Sequence, residues 1–162
     1  MNTKPSKRDL THERIVEVAS RAIRRAGYDG IGVADIMKEA GLTHGGFYAH
    51  FESRAAMLAE AVARAGRDSG ASFADSVQAR QAHGASALRA IVEIYLSDAH
   101  LVGGEFGCPV AALSSEMPRQ PPELLAASVE RVQALIRTVQ QALSGPDAEP
   151  RAQVIASTMV GA

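Results

Sequence analysis

The sequence predicts an all-α fold. Apolar residues recur at helical spacing in one stretch after another, and no stretch alternates with a period of two. Hydrophobic residues make up 46% of the 162, yet only 4% are aromatic and none is Trp, so the interior must be built from Ala, Leu, Val, Ile and Met. Such an interior favours closely packed helices over sheets. The pattern divides into a basic arm (1–10), a helix-turn-helix unit of three short helices (11–54) and a larger helical body (55–162).

Residues 1–10 carry Lys4, Lys7 and Arg8 beside a proline, with no apolar face, and read as a mobile arm suited to phosphate or minor-groove contact. Ile15, Val18, Ala19, Ala22, Ile23 and Ala26 then form one stripe, with Asp9 or Thr11 as a cap and Gly27 as the stop. Val33, Ile36, Met37 and Ala40 give a two-turn helix ended by Gly41. Thr43 caps a third short helix whose inner face is Phe47 and Phe51. Ser53 caps a fourth and longer helix with Met57, Leu58, Ala61, Val62 and Ala65 inward. Residues 66–84, rich in Gly, Ser, Ala and Gln, read as the end of that helix and a soft join.

Leu88, Ile91, Val92, Tyr95 and Leu96 mark a fifth helix, and Gly103, Gly104 and Gly107 break the chain before a shorter helix over about 109–117. Pro118 to Pro122 end that helix and begin the next. Leu125, Val129, Val132, Ile136, Val139 and Leu143 follow at spacings of 4, 3, 4, 3 and 4, a heptad-like seam. Residues 151–162 start a last apolar-faced helix that stops without a cap or polar tail, which reads as truncated.

The net charge of −1 excludes a wholly basic coat, but the charges are uneven. Residues 1–68 hold eleven Lys/Arg against nine Asp/Glu, and residues 69–162 hold six against nine, giving a mildly basic reader on an acidic body. The single cysteine, Cys108, excludes an internal disulfide framework and fits a reducing compartment. No apolar run reaches membrane-spanning length and no secretory signal opens the chain, so a cytoplasmic protein is expected.

A helix laid in the major groove must approach closely and place donors on phosphates and base edges. Thr43 at the helix start offers a hydroxyl where the helix dipole also favours a phosphate. Gly45 and Gly46 cost roughly 1 kcal/mol each relative to Ala in a helix, which argues that bulk is unwelcome there. Tyr48 and His50 face away from Phe47 and Phe51, and Arg54 opens the next helix. His44 and His50 share no helix face and gain no Cys or carboxylate at ligand spacing, so no metal is expected. No cofactor-binding motif is present either.

The stretch from Thr11 through Met57 resembles the N-terminal domain of the tetracycline-repressor (TetR) family. Its G-[LV]-[ST]-x-G-x-[FL]-Y-x-H-F-x-[SN]-[KR] core is matched at Gly41, Leu42, Thr43, Gly45, Phe47, Tyr48, His50, Phe51, Ser53 and Arg54. The resemblance implies a homeodomain-like reader and a homodimeric repressor on a palindromic double-stranded DNA operator, released by a small-molecule effector. It also implies phosphate contacts from Thr43, Tyr48, His50 and Arg54, with His44, Gly45 and Gly46 facing bases. Arg54 stands where lysine is common, and Gly32 stands where a Ser or Thr often caps the second helix.

In such regulators the remaining helices form a ligand pocket and a dimer seam. Leu88, Ile91, Val92 and Tyr95 are expected around the pocket, and Val129, Val132, Ile136, Val139 and Leu143 at the seam. Cys108, beside a proline at a helix start, is a candidate sensing thiol. Two readings compete: a small helical enzyme using Cys108 with His100, and a helical adaptor that binds no DNA. The first lacks an orienting third group, a glycine-rich phosphate loop and a metal cluster.

Overall fold

The computed structural model describes residues 5–162. Helix α1 (Lys7–Ala26) begins four residues earlier than the apolar stripe implies. Ser6 is its cap: its hydroxyl accepts from the Asp9 amide, and the Asp9 carboxylate accepts from the Ser6 amide at 2.9 Å, a closed capping box. Lys7 and Arg8, expected in the arm, therefore lie in the first helical turn, while Lys4 lies outside the described residues. Polar first turns carry no periodicity signal, and only the reciprocal Ser6–Asp9 pairing marks this start. Gly27 closes the helix with φ of 78° and its amide on the Ile23 carbonyl.

Helix α2 (Val33–Glu39) ends in a Schellman arrangement. Gly41, at φ of 69°, donates to the Lys38 carbonyl, and Leu42 donates to that of Met37. A 3₁₀ turn, His44–Ala49, follows. Two adjacent glycines in so short an element hold no full α-helical turn, and i→i+3 bonds such as His50 to Phe47 take over. Burial of Phe47 and Phe51, stacked with centroids 5.6 Å apart, fixes it to α1 and α2.

Helix α3 (Arg54–Ala82) is the spine, 29 residues and about 43 Å long at 1.5 Å per residue. It runs straight through 66–82, where the sequence suggested a soft join. The segment has no proline, and its Ala, Arg, Ser and Gln residues are tolerant of helix. Packing against α4 (Ala87–Tyr95) and α7 (Pro122–Gln141) supplies the rest. The short α5 (Asp98–Leu101) and α6 (Pro109–Leu113) connect these elements, and α8 (Ala148–Gly161) packs on α7.

Two cores result. One joins α1–α3, α6 and the start of α7, and includes Ile15, Ile36, Phe47, Leu58, Leu113 and Leu124. The other lies among α4, α7 and α8 around Ile91, Val139 and Met159. Cys108, Leu135 and Val160 touch both. Among the described residues no helix is long and apolar enough to cross a membrane.

Candidate nucleic-acid interface and effector cavity

The 3₁₀ turn presents one exposed face. Thr43 holds the cap position, yet its hydroxyl makes no cap bond, which leaves it free to donate outward. His44 and Gly45 are exposed, Gly46 is half-buried, and Tyr48 is 75% exposed with its ring edge-on to Phe47. The Arg8 guanidinium donates to the Ala49 carbonyl at 2.8 Å, which brings a cation to this face that the sequence had assigned to a tail.

His50 is half-buried, and its Nδ1 has no partner among the described residues. Burial, with His12 and Arg8 nearby, holds its pKa below the ordinary imidazole value, so it is neutral at neutral pH. His12 stacks on Phe51 at 4.4 Å and bonds Glu60 at 2.7 Å, tying α1 to α3 behind the turn.

Arg54 has a structural use beside the expected phosphate contact. Its guanidinium donates to the carbonyls of Tyr28 and Ile31 and lies 4.0 Å from Asp29. It braces the α1–α2 loop from the first turn of α3. Helix position alone does not reveal this, because the loop it caps is about 25 residues away in sequence.

Among the described residues, four hydrogen-bonded ties join the reader to the elements beyond α3. Arg24 is buried, donating to Ser20 and, at 3.2 Å, to the Gly107 carbonyl; burial lowers its pKa from the usual arginine value. Arg25 bridges Glu39 of α2 (3.0 Å) and Glu105 of the glycine-rich loop (2.8 Å). The Tyr28 amide donates to Glu116 at 2.9 Å, and its hydroxyl lies 3.0 Å from that of Ser128 in α7. No periodicity reports such ties.

The body holds a half-open cavity of about 110 Å³ between α3, α4, α6 and α7. Tyr95, one of the residues expected around a pocket, lines it together with Cys108, Phe73, His100, Arg131 and Leu135. Leu88, Ile91 and Val92 do not; they pack into the second core, facing α7 and α8. The expected dimer seam is likewise largely spent within the protomer. Val139 is fully buried and Val132, Ile136 and Leu143 are partly so, leaving Val129 at 43% exposure. A heptad stripe records that a helix packs on helices, and here those helices belong to its own chain.

The His100 ring lies tilted against Tyr95 with centroids 4.5 Å apart, and burial depresses its pKa. The unfolded chain therefore binds more protons than the folded one as pH falls through the ordinary imidazole range. Stability is full above that range and declines as it is entered. Urea unfolding at about pH 7.5 and about pH 5.5 should show a lower midpoint at the acid value. His100→Phe, which keeps a ring against Tyr95, should reduce that difference. An unchanged difference would contradict the assignment.

Residues 15–61 match the family model described as bacterial regulatory proteins, tetR family. No curated protein matches the chain. Among solved structures, a TetR transcriptional regulator from Chloroflexus aurantiacus is similar at 25% identity and a TM-score of 0.77, covering 96% of this chain and 83% of that one. A TetR-family regulator from Agrobacterium tumefaciens aligns at 20% identity and a TM-score of 0.75, covering 96% and 86%. AibR, solved with isovaleryl coenzyme A and operator DNA, aligns at 20% identity and a TM-score of 0.61, covering 93% and 82%.

Proposed function

With a tetR-family DNA-binding domain at its N-terminus and the fold of that family's transcriptional regulators over nearly its whole length, we propose that this chain is a homodimeric, effector-released repressor of a palindromic operator. The observation that carries the DNA-binding part is the exposed Thr43–Tyr48 face on a turn anchored by two buried phenylalanines. Thr43, Tyr48 and the helix start take phosphates; His44, Gly45 and Gly46 approach bases. His50 and Arg54 are further phosphate contacts, and Arg54 also braces the α1–α2 loop.

Two such readers on one duplex require a second copy. The faces of α7 and α8 that carry Val129 and Val154, 43% and 66% exposed, are the surface proposed for that contact. Two-fold symmetry then sets the readers one helical turn apart, about 34–36 Å.

Release follows from the ties between body and reader. Cys108 lines the cavity, and its neighbour Gly107 holds Arg24 of α1, while Arg25 grips Glu105 in the same loop. An effector that moves this loop moves α1 and so the separation of the two readers. A nearly complete switch needs about 5.5 kcal/mol of discrimination between the two states.

Selection from a random duplex library, followed by fluorescence anisotropy at several salt concentrations, tests the reading. Palindromic sites should emerge, with affinity falling steeply as salt rises. Tyr48→Ala should weaken binding about tenfold on all selected duplexes. Absence of salt-dependent binding to any duplex would overturn the proposal.

A further inference from the structure

Arg131 sits on the α7 wall of the cavity without a single hydrogen bond among the described residues, and its Nε is buried. The nearest carboxylate, Glu130, lies 3.8 Å away, and the same Glu130 oxygen is already held by Arg137 at 2.6 Å. An arginine side chain only 19% exposed and left in this state is costly unless a partner arrives.

The chain makes room for that arginine. Gly66 lies mid-way along α3, where glycine costs roughly 1 kcal/mol relative to alanine. A Cβ at that position would stand 2.4 Å from Arg131 Cδ and 2.9 Å from its Nη1. From α4 the Tyr95 hydroxyl, on a residue 5% exposed, lies beside the Cys108 thiol and has no nitrogen or oxygen hydrogen-bond partner among the described residues. Burial, with the Cys108 thiol nearby, pushes its pKa far up, so it remains a neutral donor. The remaining walls include Phe73, Val110 and Leu135, and among the described residues no carboxylate lines the space.

We propose that this cavity takes a small apolar monocarboxylate, with its anionic end on the Arg131 guanidinium, the Tyr95 hydroxyl as a second donor, and its hydrocarbon end against Phe73, Val110 and Leu135. One fixed cation matches one negative charge; a phosphate dianion would leave charge uncompensated among apolar walls. A cavity of roughly 150 Å³ holds benzene, so acids with a phenyl or branched C3 group are probes of fitting size. This inference rests on the reading of the chain as an effector-responsive regulator, and names the class of effector.

Isothermal titration of the full chain with benzoate and isobutyrate, against the neutral isosteres benzamide and isobutyramide, tests it. At least one acid should bind about tenfold or more tightly than its amide. Arg131→Met should abolish that preference while leaving the melting temperature unchanged or higher, because it removes a largely buried charge whose ion pair with Glu130 is long and shared with Arg137. Gly66→Ala, which displaces the guanidinium from α3, should reduce the preference by a second route. Acids and amides binding equally, or neither acid binding to a chain that still binds duplex DNA, would overturn the inference and leave the DNA-binding reading standing. Acid binding that never alters DNA affinity would leave the site standing and remove its regulatory role.

Discussion

Gly45→Val is expected to fold as stably as the parent chain and to lose about a hundredfold in affinity for duplex DNA. The two halves of that expectation have separate physical grounds. A Cβ built at Gly45 has no heavy atom within 4 Å, and Gly45 is not among the glycines with positive φ, so the protein itself does not require glycine there. Replacing glycine in a helical turn recovers roughly 0.5–1 kcal/mol of backbone entropy for alanine, somewhat less for a β-branched residue. In a complex, however, the valine methyls stand on the face shared with Thr43 and Tyr48 and hold the turn away from the groove. Losing one good base contact costs about 1–3 kcal/mol, and a standoff removes neighbouring contacts as well. Thermal unfolding and anisotropy on a selected duplex at fixed salt measure the two effects independently. A folded variant with parental affinity would show that this face is not the reader.

Tyr28→Ala should destabilise the chain by about 3–5 kcal/mol, the range for deleting a buried aromatic ring. Tyr28 is wholly buried where α1 and the α1–α2 loop meet α7, so the cavity would open between reader and body. Tyr28→Phe should cost only about 1 kcal/mol, because the Ser128 hydroxyl still donates to the Leu124 carbonyl at 2.8 Å. The phenylalanine chain is therefore folded and can be asked a second question, whether an effector still relaxes DNA binding when one inter-unit tie is gone. Denaturant unfolding of both variants gives the energies. An alanine variant within about 1 kcal/mol of the parent would mean that the seam between reader and body is not packed as described.

The reader's location was legible because its signals are local. Gly41 stops α2 through a positive φ, Phe47 and Phe51 alternate with exposed residues, and Ser53 caps α3 on the Ala56 amide. Local signals failed where polar residues lie in a helix without an apolar stripe. The first turn of α1 was read as an arm, and the middle of α3 as a join, although both are continuous helix. The seam on α7 shows another limit: its periodicity was sound, and Val139 and its neighbours turn to the chain's own α8 and α4.

By itself, the sequence determined an all-helical chain, a glycine-bounded turn carrying Thr43 and Tyr48, and a separate apolar body, because capping, left-handed glycines and 3.6-residue periodicity act over a few residues. The tertiary structure alone decided which way the long polar side chains point. Arg54 reaches back to the α1–α2 loop, Arg24 and Arg25 grip the glycine loop about 80 residues on, and Arg131 enters the cavity over Gly66. A flexible arginine finds its partners only after the helices have packed, and no spacing within one helix encodes carbonyls and cavities supplied by another.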